Sequence, residues 1–256
     1  MDKDLLLRIA VALERLAPAV DHSPMPDAPA FVWQAGQLAV AQGFRPVALD
    51  LLAGVDSQKA AVLENSQRLA AGHAAHDILL WGARGSGKSA LVKSTSVAVQ
   101  AGGKSLRLVE VSCDDLDSLP DLFALLASDM RPAIVFIDDI GFEQADPRMR
   151  HIRSVLDGGL AARPAHVRLY VTANRRHIVP RNLEEQASAI NPRDVIDDNL
   201  ALADRFGLSL GFHTCTQEDW LDMVAGYARH LGLSFDRQEA LTWLTQRGAR
   251  SGRMAW

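Results

Sequence analysis

Nine consecutive residues, Trp81-Gly82-Ala83-Arg84-Gly85-Ser86-Gly87-Lys88-Ser89, have the types and spacing to hold a phosphate. Gly82, Gly85 and Gly87 reach backbone dihedrals closed to other residues, so successive amide N–H groups can converge on phosphate oxygens. Lys88 is spaced to reach the outer phosphates of a nucleotide, and the Ser89 hydroxyl to ligate Mg²⁺. The apolar run Asp77-Ile78-Leu79-Leu80-Trp81 reads as a buried strand feeding the loop, and Ser89-Ala90-Leu91-Val92-Lys93 starts a helix behind it. The N-terminus of that helix adds a partial positive charge. Gly82 through Ala90, with Ala83, Arg84 and Ser86 between the glycines, is therefore the expected nucleotide-contacting stretch.

Phosphoryl transfer also needs a metal, a positioned water and positive charge at the transition state. The apolar run Ala133–Ile137 ends in Asp138-Asp139. Asp138 is the natural partner of Ser89 in holding Mg²⁺, and Asp139 can orient or deprotonate the attacking water. A later apolar run ends in Thr172-Ala173-Asn174, where the amide of Asn174 can hold that water against Asp139. Arg205, in Ala203-Asp204-Arg205-Phe206-Gly207, directly precedes a further strand. In proteins built this way such an arginine projects towards a neighbouring subunit and can complete its site in trans. Arg253, at the start of a last short helical pattern, can fold back onto the terminal phosphate, with Arg250 in reserve.

The elements that must position these groups alternate. Strands are expected at 77–81, 106–111, 133–138, 167–173 and 208–212, with helices at 88–101, 115–128 and 147–160 between them. That alternation implies right-handed crossovers and a parallel sheet covered on both faces. A helix at 57–71 should be capped by Asp56 or Ser57. From 215 to 256 the pattern is helical: Thr216 and Asp219 have capping-box spacing for a helix at 217–231, and Asp236 and Glu239 suggest another at 237–247. Residues 1–20 include an amphipathic helical pattern (Leu5, Leu6, Ile9, Leu13, Leu16), and 21–50 a proline-dense linker and a docked segment containing Phe31, Trp33 and Phe44. The expected organisation is thus 1–20, 21–50, an α/β nucleotide-binding domain at 51–214 and a helical lid at 215–256 that reads as incomplete.

Net charge is −4 over 256 residues, so the chain as a whole does not attract nucleic acid. Cys113 and Cys215 are too few for a disulfide framework. The charged start, Met1-Asp2-Lys3-Asp4, is no signal peptide, and no run is long enough to span a bilayer. A cytoplasmic location follows as the expectation.

Taken together, these motifs resemble an AAA+ ATPase. More narrowly, the chain is similar to the bacterial AAA+ group known as domain-of-unknown-function family 815. The matching stretches are Leu80–Gly85, Ile137–Glu143, Thr172–His177, Leu202–Leu208 and Arg250–Arg253. The resemblance implies a three-layer α/β sandwich with a five-stranded parallel sheet, a helical lid, ATP/ADP and Mg²⁺ as ligands, and homo-oligomers with shared active sites. It further implies that the turn Leu52-Ala53-Gly54-Val55 touches adenine, Gly54 and Val55 included. One departure stands out: most AAA+ proteins carry Asp-Glu where this chain has Asp138-Asp139, which shortens the candidate base by one methylene. Glu143 is a stand-in further along the loop.

The leading expectation is an ATPase that assembles or remodels an unknown protein partner. The alternatives are a nucleic-acid loader, suggested by the basic runs Arg148–Arg153 and Arg175–His177 but not favoured by the overall charge, and a non-hydrolysing ATP-dependent scaffold. GTP is disfavoured by the absence of an Asn-Lys-x-Asp segment, and polypeptide threading by the absence of an aromatic–Gly motif near 112–128.

Overall fold

Apolar runs bounded by polar turns become the strands of one sheet. A computed structural model describes residues 25–140, 163–174, 205–247 and 250–256, together with Arg8, Ile152, Val155 and Leu156. Its strands are β1 (Ala30–Gln34), β2 (Gln37–Val40), β3 (Ile78–Gly82), β4 (Arg107–Val111), β5 (Ala133–Ile140), β6 (Val167–Asn174) and β7 (Leu208–Phe212). Its α-helices are α1 (Asp56–Ala70), α2 (Lys88–Ala101), α3 (Leu119–Ser128), α4 (Gln217–Leu231), α5 (Arg237–Arg247) and α6 (Gly252–Ala255). The sheet order is β2-β1-β4-β5-β6-β3-β7. Every pairing is parallel except that of β1 with β2.

The five expected strands are all present as the parallel block β4-β5-β6-β3-β7, but among the described residues the sheet has seven. The two additional strands lie in the stretch read as linker and docked segment. Phe31 to Trp33 pair with Val109 to Val111 of β4, and the chain then turns back through Ala35-Gly36. Both turn residues have positive φ (50° and 73°), the conformation that a two-residue hairpin needs to follow the twist of its strands. The Ala35 N–H donates to Asp115 Oδ1 at 3.0 Å, tying the turn to the loop after β4.

Alternate residues of the central strands feed two separate cores. Leu79, Val109, Val135, Ile137, Leu169 and Val171 pack with Leu119, Leu122, Phe123 and Leu126 around α3, where Ile152 is also buried. Ile78, Leu80, Leu108, Ile134, Phe136 and Tyr170 face the other way, onto Val62 and Leu69 of α1 and Leu91, Val92 and Val99 of α2. Strands buried on both faces read as continuous apolar runs, which is why they could be located from composition. The result is the expected three-layer sandwich.

Two helix starts differ from expectation. Val55, not Asp56 or Ser57, occupies the N-cap of α1, without a side-chain cap. Asp56 instead pairs with Lys59 at 3.0 Å, and the Ser57 hydroxyl donates to Gln58. The stretch expected as one helix at 115–128 begins as a 3₁₀ turn, Cys113–Ser118, capped by Ser112, before α3 starts at Leu119. Pro120 has no N–H to donate, so the α-helical ladder begins only around it. After β7, α4 carries the anticipated capping box: Thr216 accepts from the Asp219 N–H, and Asp219 accepts from the Thr216 N–H. Trp220, Leu221, Tyr227, Leu244 and Ala255 form a third core across α4 to α6, which reaches back to Val47 and Leu51. The expected helices at 1–20 and 147–160, Glu143 and both basic runs lie outside the described residues, save for the four isolated positions.

Candidate active site

A parallel sheet brings the C-terminal ends of its strands to one edge. β3 lies between β6 and β7, and β5 lies beyond β6, so the phosphate-binding loop, Asp138-Asp139 and Asn174 emerge side by side. Gly82 is paired with Asn174 directly across the β3–β6 ladder. A Cβ at Gly82 would stand 2.1 Å from the Phe212 carbonyl oxygen, so only glycine fits where the strand enters the loop. Gly87 is the left-handed N-cap of α2, with φ 93°. This conformation turns the loop into the helix and leaves the first amides of α2 facing the cleft.

Lys88 is buried, and its ammonium donates to the carbonyls of Gly82 (3.0 Å) and Ala83 (2.8 Å) and, at 3.5 Å, to Asn174 Oδ1. Burial holds its pKa below the ordinary lysine value, opposed in part by Asp139 and Asp138. Ser89 donates its hydroxyl to Asp138 Oδ1 at 2.6 Å, and Thr172 donates to the same oxygen at 2.5 Å. Ser89 and Asp138 are hard oxygen donors, the chemistry that Mg²⁺ takes when it keeps water and substrate phosphate for most of its shell. No cluster of three or more histidine, cysteine or acidic residues exists among the described residues to form an all-protein cage. The donor set thus fits a Mg²⁺ that arrives with a nucleotide.

Consecutive strand residues point to opposite faces, so Asp138 and Asp139 would ordinarily diverge. The β5–β6 register shifts between Ile137 and Ile140, and Asp139 takes φ 57°, in the left-handed region. This bulge turns Asp139 so that both carboxylates line one cleft. Thr172 fixes the bulge from β6: its hydroxyl accepts the Asp139 N–H at 2.8 Å while donating to Asp138. Asn174 Nδ2 donates to Asp139 Oδ1, and Arg84 Nη2 lies 3.0 Å from Asp139 Oδ2.

The cleft measures about 700 Å³, a size suited to a nucleotide-sized ligand. Arg84 to Ala90, Asp138, Asp139, Thr172 and Asn174 line its polar side, and Arg45, Val47, Leu52, Tyr227 and Trp256 also contribute. The Tyr227 and Trp256 rings meet edge to face, with centroids 5.0 Å apart. Of the turn expected to touch a base, Leu52 reaches the cleft, while Gly54 and Val55 do not line it. Gly54 instead lies against the Asp219 side chain, and Val55 enters the core over α1 and α2. Arg253 lines the cleft and Arg250 does not. The Gly252 N–H donates to the Gly85 carbonyl at 3.2 Å, so the start of α6 rests on the phosphate-binding loop. Arg205 is exposed just before β7, whose first residue pairs with Ile78 at the start of β3. It therefore sits towards the opposite edge of the sheet from its own cleft. Arg45, Val47, Thr172, Tyr227 and Trp256 were not anticipated. Only Thr172, two residues before Asn174, had a sequence position that could have suggested it.

A family model described as a protein of unknown function (DUF815) matches residues 26–256. The chain belongs to this family. Among solved structures it is similar to RuvB of Thermotoga maritima, a Holliday junction branch migration motor, with 20% identity and a TM-score of 0.52. Two single-substitution variants of that protein match at 19% identity with the same TM-score. Each match covers 84% of this chain and 63% of the RuvB chain, so this member of the family spans less than two thirds of that motor's length. At such identity the likeness establishes the fold, that of the AAA+ P-loop ATPases. No curated protein matches the chain.

Proposed function

We propose that this protein binds Mg²⁺–ATP in the cleft and hydrolyses it to ADP and phosphate. The observation that carries the reading is the convergence of Lys88, Ser89, Asp138, Asp139 and Asn174, from three strand ends, on one cleft. The loop amides and Lys88 cradle the phosphates, and Ser89 with Asp138 holds the metal. Bound Mg²⁺ would offset charge on the outer phosphates. Asn174 orients a water, and Asp139 takes its proton as the oxygen attacks the terminal phosphorus and the bond to the ADP oxygen breaks. Arg253 reads the terminal phosphate from α6. The α/β unit, with β1 and β2 in its sheet, and the lid at 215–256 move against each other as nucleotide changes.

In this reading the protein acts as a homo-oligomer in the cytoplasm, with Arg205 completing a neighbour's site, and drives assembly or remodelling of a protein partner. No helix among the described residues is long and apolar enough to cross a membrane. The test is phosphate release across a protein-concentration series. Shared sites require specific activity to rise with concentration, and Arg205→Ala to remove that rise while nucleotide binding persists. Concentration-independent activity with a silent Arg205→Ala would reject trans completion.

A second reading, an ATP-dependent scaffold that does not hydrolyse, draws on one observation: both Asp139 oxygens are already engaged, by Asn174 and Arg84. Tight ATP binding with no phosphate release at any concentration would favour it. The nucleic-acid loader reading has behind it the basic runs at 148–153 and 175–177, which lie almost wholly outside the described residues, and the fold shared with a Holliday junction motor. Absence of salt-sensitive DNA binding would dispose of it.

A further inference from the structure

Arg84 stands in the phosphate-binding loop, yet it is bound to the candidate base. Its Nη2 lies 3.0 Å from Asp139 Oδ2, and Asn174 Nδ2 holds the other oxygen. The two restraints differ in how readily they give way. Asn174 is fixed on β6, paired across from Gly82. The Arg84 side chain is 77% exposed and that of Asp139 47%, and solvent-screened pairs of this kind add little to a fold. Arg84 lines the same cleft as Lys88, Ser89 and Arg253, where the phosphates of a nucleotide would lie. A guanidinium offered a choice between one screened carboxylate and a terminal phosphate has the stronger, bidentate partner in the phosphate.

We propose that Arg84 is a nucleotide-dependent latch on Asp139. This rests on the reading of the cleft as an ATP site. Without nucleotide, Arg84 holds the Asp139 carboxylate against the loop. When ATP enters, Arg84 passes to its terminal phosphate and frees Oδ2 to face the water. ADP lacks that phosphate, so the latch stays closed. Arg84 is thus a positioning residue that lets a short aspartate serve only when a triphosphate is present.

The test measures binding of ADP and of the β,γ-imido analogue of ATP, which cannot be hydrolysed at the bridging position, by titration calorimetry. Arg84→Gln should weaken the triphosphate analogue by roughly tenfold, about one charge-assisted hydrogen bond, and leave ADP within twofold. Arg84→Lys should recover part of the loss. Asp139→Asn releases the latch partner, so removing Arg84 in that background should cost about two- to fivefold more triphosphate affinity than in wild type. Equal weakening of both nucleotides, or no coupling to Asp139→Asn, overturns the latch while leaving the ATP site standing. Wild type that binds neither nucleotide overturns both.

Discussion

Replacing Asp139 by asparagine separates chemistry from scaffold. The substitution keeps side-chain size, and asparagine tolerates the left-handed backbone that Asp139 adopts at φ 57°. It weakens the ion pair to Arg84, whose partners are 77% and 47% exposed; exposed pairs contribute roughly 0.2–1 kcal/mol. The melting temperature should therefore fall by no more than about 4 °C. Activity should fall far more. A positioned general base contributes roughly 10²–10⁴-fold, or about 3–5 kcal/mol of barrier, and the amide cannot take the proton. Asp139→Gly is the companion. It also removes the carboxylate, and glycine takes φ 57° without the Cβ crowding that aspartate and asparagine both carry there. The glycine variant should melt above the asparagine variant while being equally inactive. The assay is single-turnover phosphate release at saturating ATP, with calorimetric binding and a thermal melt on the same samples. More than a tenth of wild-type activity in either variant would refute the assignment of Asp139 as base. A glycine variant melting several degrees below the asparagine variant would refute the strain argument.

Three further perturbations probe the fold around the site. Lys88→Met should abolish nucleotide binding yet raise the melting temperature of the nucleotide-free protein. Because burial lowers the Lys88 pKa, the unfolded chain binds the proton more tightly, so wild-type stability rises with pH in the window just below 10.5; the variant should lose that rise. Tyr170, buried and hydrogen-bonded to Asn65 and Ser66, has its pKa raised by burial to about 12. Its proton is held in the fold after the unfolded chain releases it near 10, so about 3 kcal/mol is present below pH 10 and lost as pH rises towards 12. Tyr170→Phe should flatten that alkaline loss in denaturant titrations. Ala35→Asn, at φ 50° in the exposed hairpin turn, should stabilise by up to about 1 kcal/mol, read as a higher denaturation midpoint.

What could be read from sequence divides along physical lines. Four of the five expected parallel strands declared themselves because they are buried on both faces, the edge strand β7 by its short apolar run, and α4 because Thr216 and Asp219 state its start locally. The β1–β2 hairpin was hidden: its turn is Ala-Gly where asparagine would announce it, and β2 is half exposed at the sheet edge. The polar side of the cleft was legible because the loop and the two strand ends carry their polar groups in contiguous residues. Its other contributors come from four distant segments, at Arg45 and Val47, Leu52, Tyr227 and Trp256, and only the packing of α4 and α6 over the sheet brings them together. The bulge at Asp139 was equally invisible, since it depends on Thr172 two strand positions from the end of β6.

The central claim is that the loop at Gly82–Ser89 and the aspartates at the end of β5 form one Mg²⁺-dependent ATP-hydrolysing site. Steady-state phosphate release from ATP, with and without Mg²⁺ and with Lys88→Ala alongside wild type, tests it most directly. Release by wild type that requires Mg²⁺ and vanishes in Lys88→Ala is the predicted result. Release that survives in Lys88→Ala, or none from wild type at any protein concentration, would contradict it.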